Sequence, residues 1–175
     1  DRFMPKFNYK GFQFVEVSSS APIQLSDENL IAVEMHSDVP IIGYWSSSSD
    51  LLNKIWKATN SSYLANLFGY PTDCPQREKN GWTGDAHIAI ETGLYNFDGI
   101  SIYEKWMNDF CDEQKDNGVL PCIIPTSVWG YDWANGVDWT SAVAIIPWEI
   151  YRFYGDTTLL RRMYGPIKKY VSYIE

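Results

Sequence analysis

The sequence predicts a mainly α fold built from helical hairpins and led in by two or three short strands. Three observations carry this reading. From Asp50 onward, apolar residues recur at helical spacing. The links Phe97-Asp98-Gly99 and Tyr154-Gly155-Asp156 are short, and short links favour antiparallel neighbours. Two longer segments, 69–82 and 116–137, hold most of the residues able to do chemistry. Scaffold on one side and chemistry on the other is the layout of an α-hairpin barrel with loops around one mouth.

The strands come first. Residues Phe7 to Val17 place Phe12, Phe14, Val15 and Val17 among polar neighbours, partly with period two. Ile31, Val33 and Met35 alternate with Ala32, Glu34 and His36, and Ile42 to Trp45 offers a third short strand. Ser18 to Ser20 with Pro22 read as a turn. So few strands make no stable sheet alone, and residues 1–45 read as the tail of a β-domain and a linker. The pattern changes at Ser46 to Ser49, and residues 46–175 form the helical unit. Ser49 is a plausible N-cap for a helix over 49–68, in which Leu51, Leu52, Ile55, Trp56, Tyr63, Leu64 and Leu67 recur. Further helices are expected at 83–95, 99–115, 138–153 and 156–174. Pro147 should kink or break the fourth, because proline removes a backbone bond. The last helix meets no stop signal before Glu175, which predicts a truncated barrel, its first half only.

A chain of 175 residues suffices for a sizeable core, with 45% hydrophobic and 21% charged residues, as in a soluble globular protein. The net charge of −8 opposes a nucleic-acid or anionic-membrane partner, since both demand clustered Lys and Arg. No apolar run approaches the length of a membrane span. Cys74, Cys111 and Cys122 are an odd set without tight spacing and read as free or buried thiols. No His, Asp and Glu group has metal-ligand spacing, so neither metal nor cofactor is expected. His36 and His87 read as structural, and the glycosylation triplet Asn60-Ser61-Ser62 falls inside an expected helix. Eight Trp and twelve Tyr are more than a core needs, and suggest a lined cleft.

The most informative stretch runs from Asp73 to Asp85. It gathers Asp73, Arg77, Glu78, Trp82 and Asp85 into one loop between two helices. Carboxylates bind hydroxyls and move protons, while an indole covers the apolar face of a pyranose. Glycoside cleavage needs one carboxyl to protonate the departing oxygen and a second to activate water or attack the sugar. The acid must stay protonated, so burial or a like charge must raise its pKa. Glu78 is the best candidate acid, four residues before Trp82, although a solvated loop glutamate has the same pattern. Asp73 also fits an Asx-turn, and Asp85 also fits the first turn of a helix, where the helix dipole favours negative charge.

The same stretch resembles the signature of glycoside hydrolase family 78, the α-L-rhamnosidases, written D-C-P-Q-R-D-E-R-x-G-W-T-G-D. Asp109 to Gln114 with Asp116 to Pro121 is similar to the family's D-x-x-x-x-Q-x-x-D-G-x-x-P stretch. Asp138-Trp139 to Tyr151 resembles its W-x-D-A-x-x-x-x-P-W-x-x-Y helix, with Trp139 following Asp138 and Ser141 preceding Ala142. Phe7 to Val17 resembles the strand that closes a β-sandwich before the catalytic barrel. The resemblance implies an (α/α)6 barrel, hydrolysis of terminal α-L-rhamnose with inversion, and Glu78 as general acid. It implies that Asp73, Arg77 and Asp85 hold rhamnose hydroxyls and that Trp82 packs on the sugar. Trp129, Trp133 and Trp139 are candidates for the rest of the wall, or packing tryptophans.

Two departures stand out. The motif is one residue shorter, so an aligned Asp-Glu pair is here the single Glu78, followed by Lys79. The family's general base lies downstream of Glu175, and Glu149 reads as a helix-surface or structural carboxylate. The expected partners are therefore a rhamnoside and the remainder of the same polypeptide, and the 175 residues alone are expected to be inactive. The rival readings are a polysaccharide lyase or other enzyme on an α-toroid, and a non-catalytic carbohydrate-binding module. A lyase needs a cation to neutralise a uronate, which this acidic loop opposes.

Overall fold

A computed structural model describes residues 3–6, 8–133 and 136–175 of the chain. Six helices follow one another: α1 (Asp50–Ala65), α2 (Thr83–Asn96), α3 (Ile100–Glu113), α4 (Val137–Thr140), α5 (Ala142–Tyr154) and α6 (Thr158–Ile174). Four expected helices match to within a few residues. The helix expected at 138–153 is instead two, α4 and α5, and the break is at Ser141. Helix α5 runs unbroken through the buried Pro147. Ser141 keeps helical dihedrals, and its carbonyl accepts from Ala144 and Ile145 N–H. The chain thus turns between two helices without losing its backbone bonds.

The N-terminal strands do not form. Among the described residues no strand is present, and Phe7, where the first was expected to begin, lies outside them. A strand exists only by sharing its N–H and C=O groups with a neighbour. Between residues 8 and 36 the loop and turn backbone bonds are the local ones from Asn29 and Leu30 to the Ser26 carbonyl, and almost every side chain is exposed. The Ile42–Trp45 stretch finds a different partner. Ile42 and Gly43 N–H both donate to the Asn96 carbonyl at the end of α2, and Ile41 makes an isolated bridge to Phe97.

The core sits among α2, α3, α5 and α6. Helix α2 contributes Ala86, Ile90 and Leu94, one face of a 3.6-residue repeat. Tyr103, Trp106, Met107 and Phe110 come from α3, Val143, Ile146 and Ile150 from α5, and Leu159, Met163 and Tyr170 from α6. Helices α5 and α6, joined by a short link, pack on each other, and α2 packs on α5 and α1. Helices α2 and α3 share a short link but pack little on each other directly, and their buried side chains join one core cluster. Tyr63 of α1 stacks on Phe97 at 5.6 Å, and its hydroxyl lies 2.8 Å from that of Tyr103. Ser49 occupies the N-cap position of α1 but caps nothing with its side chain. The entrance is closed by Asn53 and Ser47, which exchange two hydrogen bonds of 2.8 and 2.9 Å.

Candidate functional site

The loop after α1 is shaped from its neck outward. Asp73 Oδ1 accepts from the Asn80 N–H at 2.9 Å, and the Asp73 N–H donates to the Asn80 carbonyl at 3.0 Å. Asp73 therefore closes an eight-residue loop rather than the expected Asx-turn. Within it the Glu78 N–H donates to Cys74 Sγ at 3.2 Å. Lys79 takes the left-handed conformation, with φ 57°, and its ammonium donates to the Tyr9 carbonyl at 2.8 Å and lies over the Tyr9 ring.

Beyond the neck, the chain meets segment 118–126. Ile124 N–H donates to the Gly81 carbonyl at 2.9 Å, and the Thr83 N–H and hydroxyl both donate to the Cys122 carbonyl. A Cβ on Gly81 would stand 2.0 Å from the Ile124 oxygen, so only glycine permits this approach. These bonds fix the start of α2, and with it Trp82 and Asp85.

Trp82 is the hub of the site. Its indole N–H donates to Glu78 Oε2 at 2.9 Å. Its ring stands edge-on to Trp133 at 5.8 Å and to Trp139 at 6.4 Å, and Trp133 is edge-on to Trp129 at 5.6 Å. The four tryptophans named from the sequence thus form one continuous array, with Glu78 bonded to its centre. Trp129 and Trp133 remain about 40% exposed.

Asp73, Asp85 and Trp139 line a groove of about 660 Å³ between α1 and α2, together with Thr59 and Ser62 and floored by Tyr63 and Tyr103. Burial raises the Asp85 carboxyl above its usual value. The negative charges of Asp73 and Glu78 raise it further, against backbone and Trp139 N–H donors that lower it. Desolvation thus outweighs the donors that favour the charged carboxylate. The buried Trp139 N–H, although close enough to act on Asp85, completes no well-formed hydrogen bond. A Cβ on Gly84 would stand 2.6 Å from the Trp139 ring, so glycine at this position is what admits the indole.

Arg77 and Glu78 are exposed, and Arg77 makes no ion pair among the described residues. His87 Nε2 lies 2.9 Å from the Asp138 carbonyl and positions α4. Glu149 is buried, not on a helix surface, and pairs with Arg152, which also bonds Glu91. The three cysteines are free. No described helix is long and apolar enough to cross a membrane, and no described group of three or more His, Cys, Asp or Glu residues is placed to hold a metal.

Sequence reasoning missed Glu113. It is the last residue of α3, where the helix dipole disfavours an acid, and that misplacement was the available signal. Its Oε1 accepts from Thr126 N–H at 3.0 Å and its Oε2 from the Tyr131 hydroxyl at 2.7 Å.

Comparison with known proteins places these residues in context. The family model described as the bacterial α-L-rhamnosidase 6 hairpin glycosidase domain matches residues 40–175. An α-L-rhamnosidase of Alteromonas sp. (strain LOR) is 33% identical over 173 residues, which are 98% of this chain and 19% of that protein. One from Formosa agariphila is 34% identical over 98% of this chain and 18% of its own length. Among solved structures, the α-L-rhamnosidase from Dictyoglumus thermophilum aligns with a TM-score of 0.75 and 38% identity, covering 79% of this chain and 16% of that one. The Streptomyces avermitilis α-L-rhamnosidase complexed with L-rhamnose aligns with a TM-score of 0.71 and 26% identity, over 79% and 13%. The chain spans less than a fifth of the length of the curated relatives it matches.

Proposed function

The chain belongs to the bacterial α-L-rhamnosidase 6 hairpin glycosidase family, and from that premise we propose that it supplies the acid half of an inverting α-L-rhamnosidase site. The substrate is a terminal α-L-rhamnoside on a glycoside or polysaccharide. Residues 46–175 are then the first half of an (α/α)6 catalytic barrel.

The observation that carries this reading is the hydrogen bond from Trp82 to Glu78 Oε2 at the centre of the tryptophan array. An acid beside an aromatic wall can protonate a glycosidic oxygen while the sugar lies on the indole. With Oε2 engaged by Trp82, Oε1 carries the proton to the departing oxygen. The carboxylate left behind keeps a charge-assisted bond from the indole N–H. Asp73, Arg77 and Asp85 bind the sugar hydroxyls, and Trp139 offers its unpaired N–H beside Asp85. A carboxylate outside these residues, roughly 6.5–9.5 Å from Glu78, activates the water that attacks the opposite face. The proposed reaction uses no cofactor and no metal.

Glu78→Gln in the full-length enzyme tests the assignment. The rate on an unactivated rhamnoside should fall by about 10²–10⁴-fold. The loss should shrink on a substrate whose leaving group needs no proton. A variant that keeps its rate on the unactivated rhamnoside sinks the assignment. The anomer first released, read by NMR, decides inversion, and a lyase would announce itself by an unsaturated product. Purified residues 1–175 should release no rhamnose.

A further inference from the structure

We propose that Glu113 is a positioning residue that holds Trp129 and Trp133 against Trp82 and thereby sets how tightly the pocket grips its sugar. The inference rests on the reading of this site as a rhamnoside pocket. Glu113 hydrogen-bonds Thr126 and Tyr131, on the segment that carries Trp129 and Trp133, and acts through that segment.

Segment 126–133 needs an outside anchor. Val128 is 90% exposed, and Trp129 and Trp133 are only partly covered, so little apolar burial fixes the loop. Its backbone also enters the left-handed region twice, at Ser127 (φ 46°) and Gly130 (φ 75°). A serine there persists only when its surroundings hold it. Glu113 supplies the hold at both ends of the loop. Oε1 accepts from Thr126 N–H at the entry, and near the exit the Tyr131 hydroxyl shares its single proton between Oε2 at 2.7 Å and the Glu113 carbonyl at 2.8 Å.

The loop completes the brace from within. The Thr126 hydroxyl donates to the Gly130 carbonyl at 3.0 Å, Trp129 N–H donates to the Thr126 carbonyl, and Trp133 Nε1 donates to the Trp129 carbonyl at 2.8 Å. Lys115 lies 3.9 Å above the Tyr131 ring and pins its outer face. Burial and the Glu113 carboxylate raise the Tyr131 phenol above its ordinary value. One carboxylate therefore fixes two anchor points, and the two tryptophans lie between and just beyond them. An acid in the last turn of α3 opposes the helix dipole, a cost that these donors offset.

The test uses Glu113→Ala, Glu113→Gln and Tyr131→Phe in the full-length enzyme, with KM and kcat on an aryl rhamnoside and the circular-dichroism band of the coupled indoles. Glutamine can still accept from Thr126 and reach the Tyr131 oxygen. The alanine variant should raise KM about tenfold while kcat changes less than about threefold, because the wall binds the sugar in ground and transition state alike. Glutamine should return KM to within about twofold of the parent, and Tyr131→Phe should raise it about threefold. An unmoved KM in Glu113→Ala, or a loss confined to kcat, overturns the proposal. If the alanine variant does not fold, Tyr131→Phe decides in the same way. A parent enzyme that releases no rhamnose refutes the functional reading instead. The indole band then decides the positioning role, which stands if alanine abolishes the band and glutamine keeps it, and falls if alanine leaves it intact.

Discussion

Helix α1 and segment Val119–Ile124 are opposites. Helix α1 is sixteen residues of unbroken helix and buries none of them. Val119–Ile124 belongs to no helix or strand, yet every residue in it is buried. Irregular backbone can lie in a core only when its polar groups find partners. Here they do: the Val119 carbonyl accepts from Lys115 N–H, the Cys122 carbonyl from Thr83, and the Ile124 carbonyl from Trp106 Nε1 at 2.8 Å. Helix α1 satisfies its backbone internally and reaches the core only through Tyr63 and Leu64, so Leu51, Leu52 and Ile55 stand open to solvent. Regularity and burial are separate properties, and the site hangs on the irregular, buried region. The bonds that bury Cys122 and Ile124 are the ones that place Trp82 and Asp85.

Trp106 is the strongest anchor of the buried segment. Trp106→Ala removes a fully buried indole and the donor to the Ile124 carbonyl, and should cost about 3–5 kcal/mol of stability by urea denaturation. A loss below about 1 kcal/mol would mean that the buried segment does not depend on Trp106.

Gly84→Ala should cost about 1–3 kcal/mol, because its Cβ meets the Trp139 ring. It should also weaken rhamnose binding in the full-length enzyme, since Trp139 must move. Thermal denaturation and calorimetric titration with rhamnose separate the two effects.

Asp85→Asn removes the one carboxyl at the start of α2 whose proton is held more tightly on folding. The folded-state pKa of Asp85 is raised, so the folded chain holds this proton more tightly than the unfolded chain does. The Asp85 contribution to stability therefore declines as pH rises from the ordinary 3.8 through the folded-state value, and stays low above it. The asparagine variant lacks this slope. Its stability relative to the parent should rise with pH across that acidic window, read as urea midpoints from pH 3 to 7.

The smallest effect is expected at α1. Leu51→Gln in the 175-residue chain should change stability by less than about 0.5 kcal/mol. A larger loss from the same change in the full-length protein would show that another part of it covers this face.

Most helices were legible because hydrogen bonding and apolar spacing repeat every few residues. The acid loop was legible because Asp73, Glu78, Trp82 and Asp85 are close in sequence. What failed was whatever depended on a distant partner. The N-terminal alternation looked like strands, but no neighbouring strand receives its backbone among the described residues. Pro147 looked like the break, yet Ser141 is where the chain turns.

By itself, the sequence determined the local helical frame and brought Asp73, Arg77, Glu78, Trp82 and Asp85 into one short stretch. Tertiary structure alone decided that those indoles meet in one array, that Trp139 comes to Gly84 and Asp85 across more than fifty positions, and that Glu113 braces the loop between them. Helix periodicity arises from bonds four residues apart, and each residue carries that preference locally. A contact across fifty residues arises only when the intervening chain folds back, and it exists as a property of the packed whole.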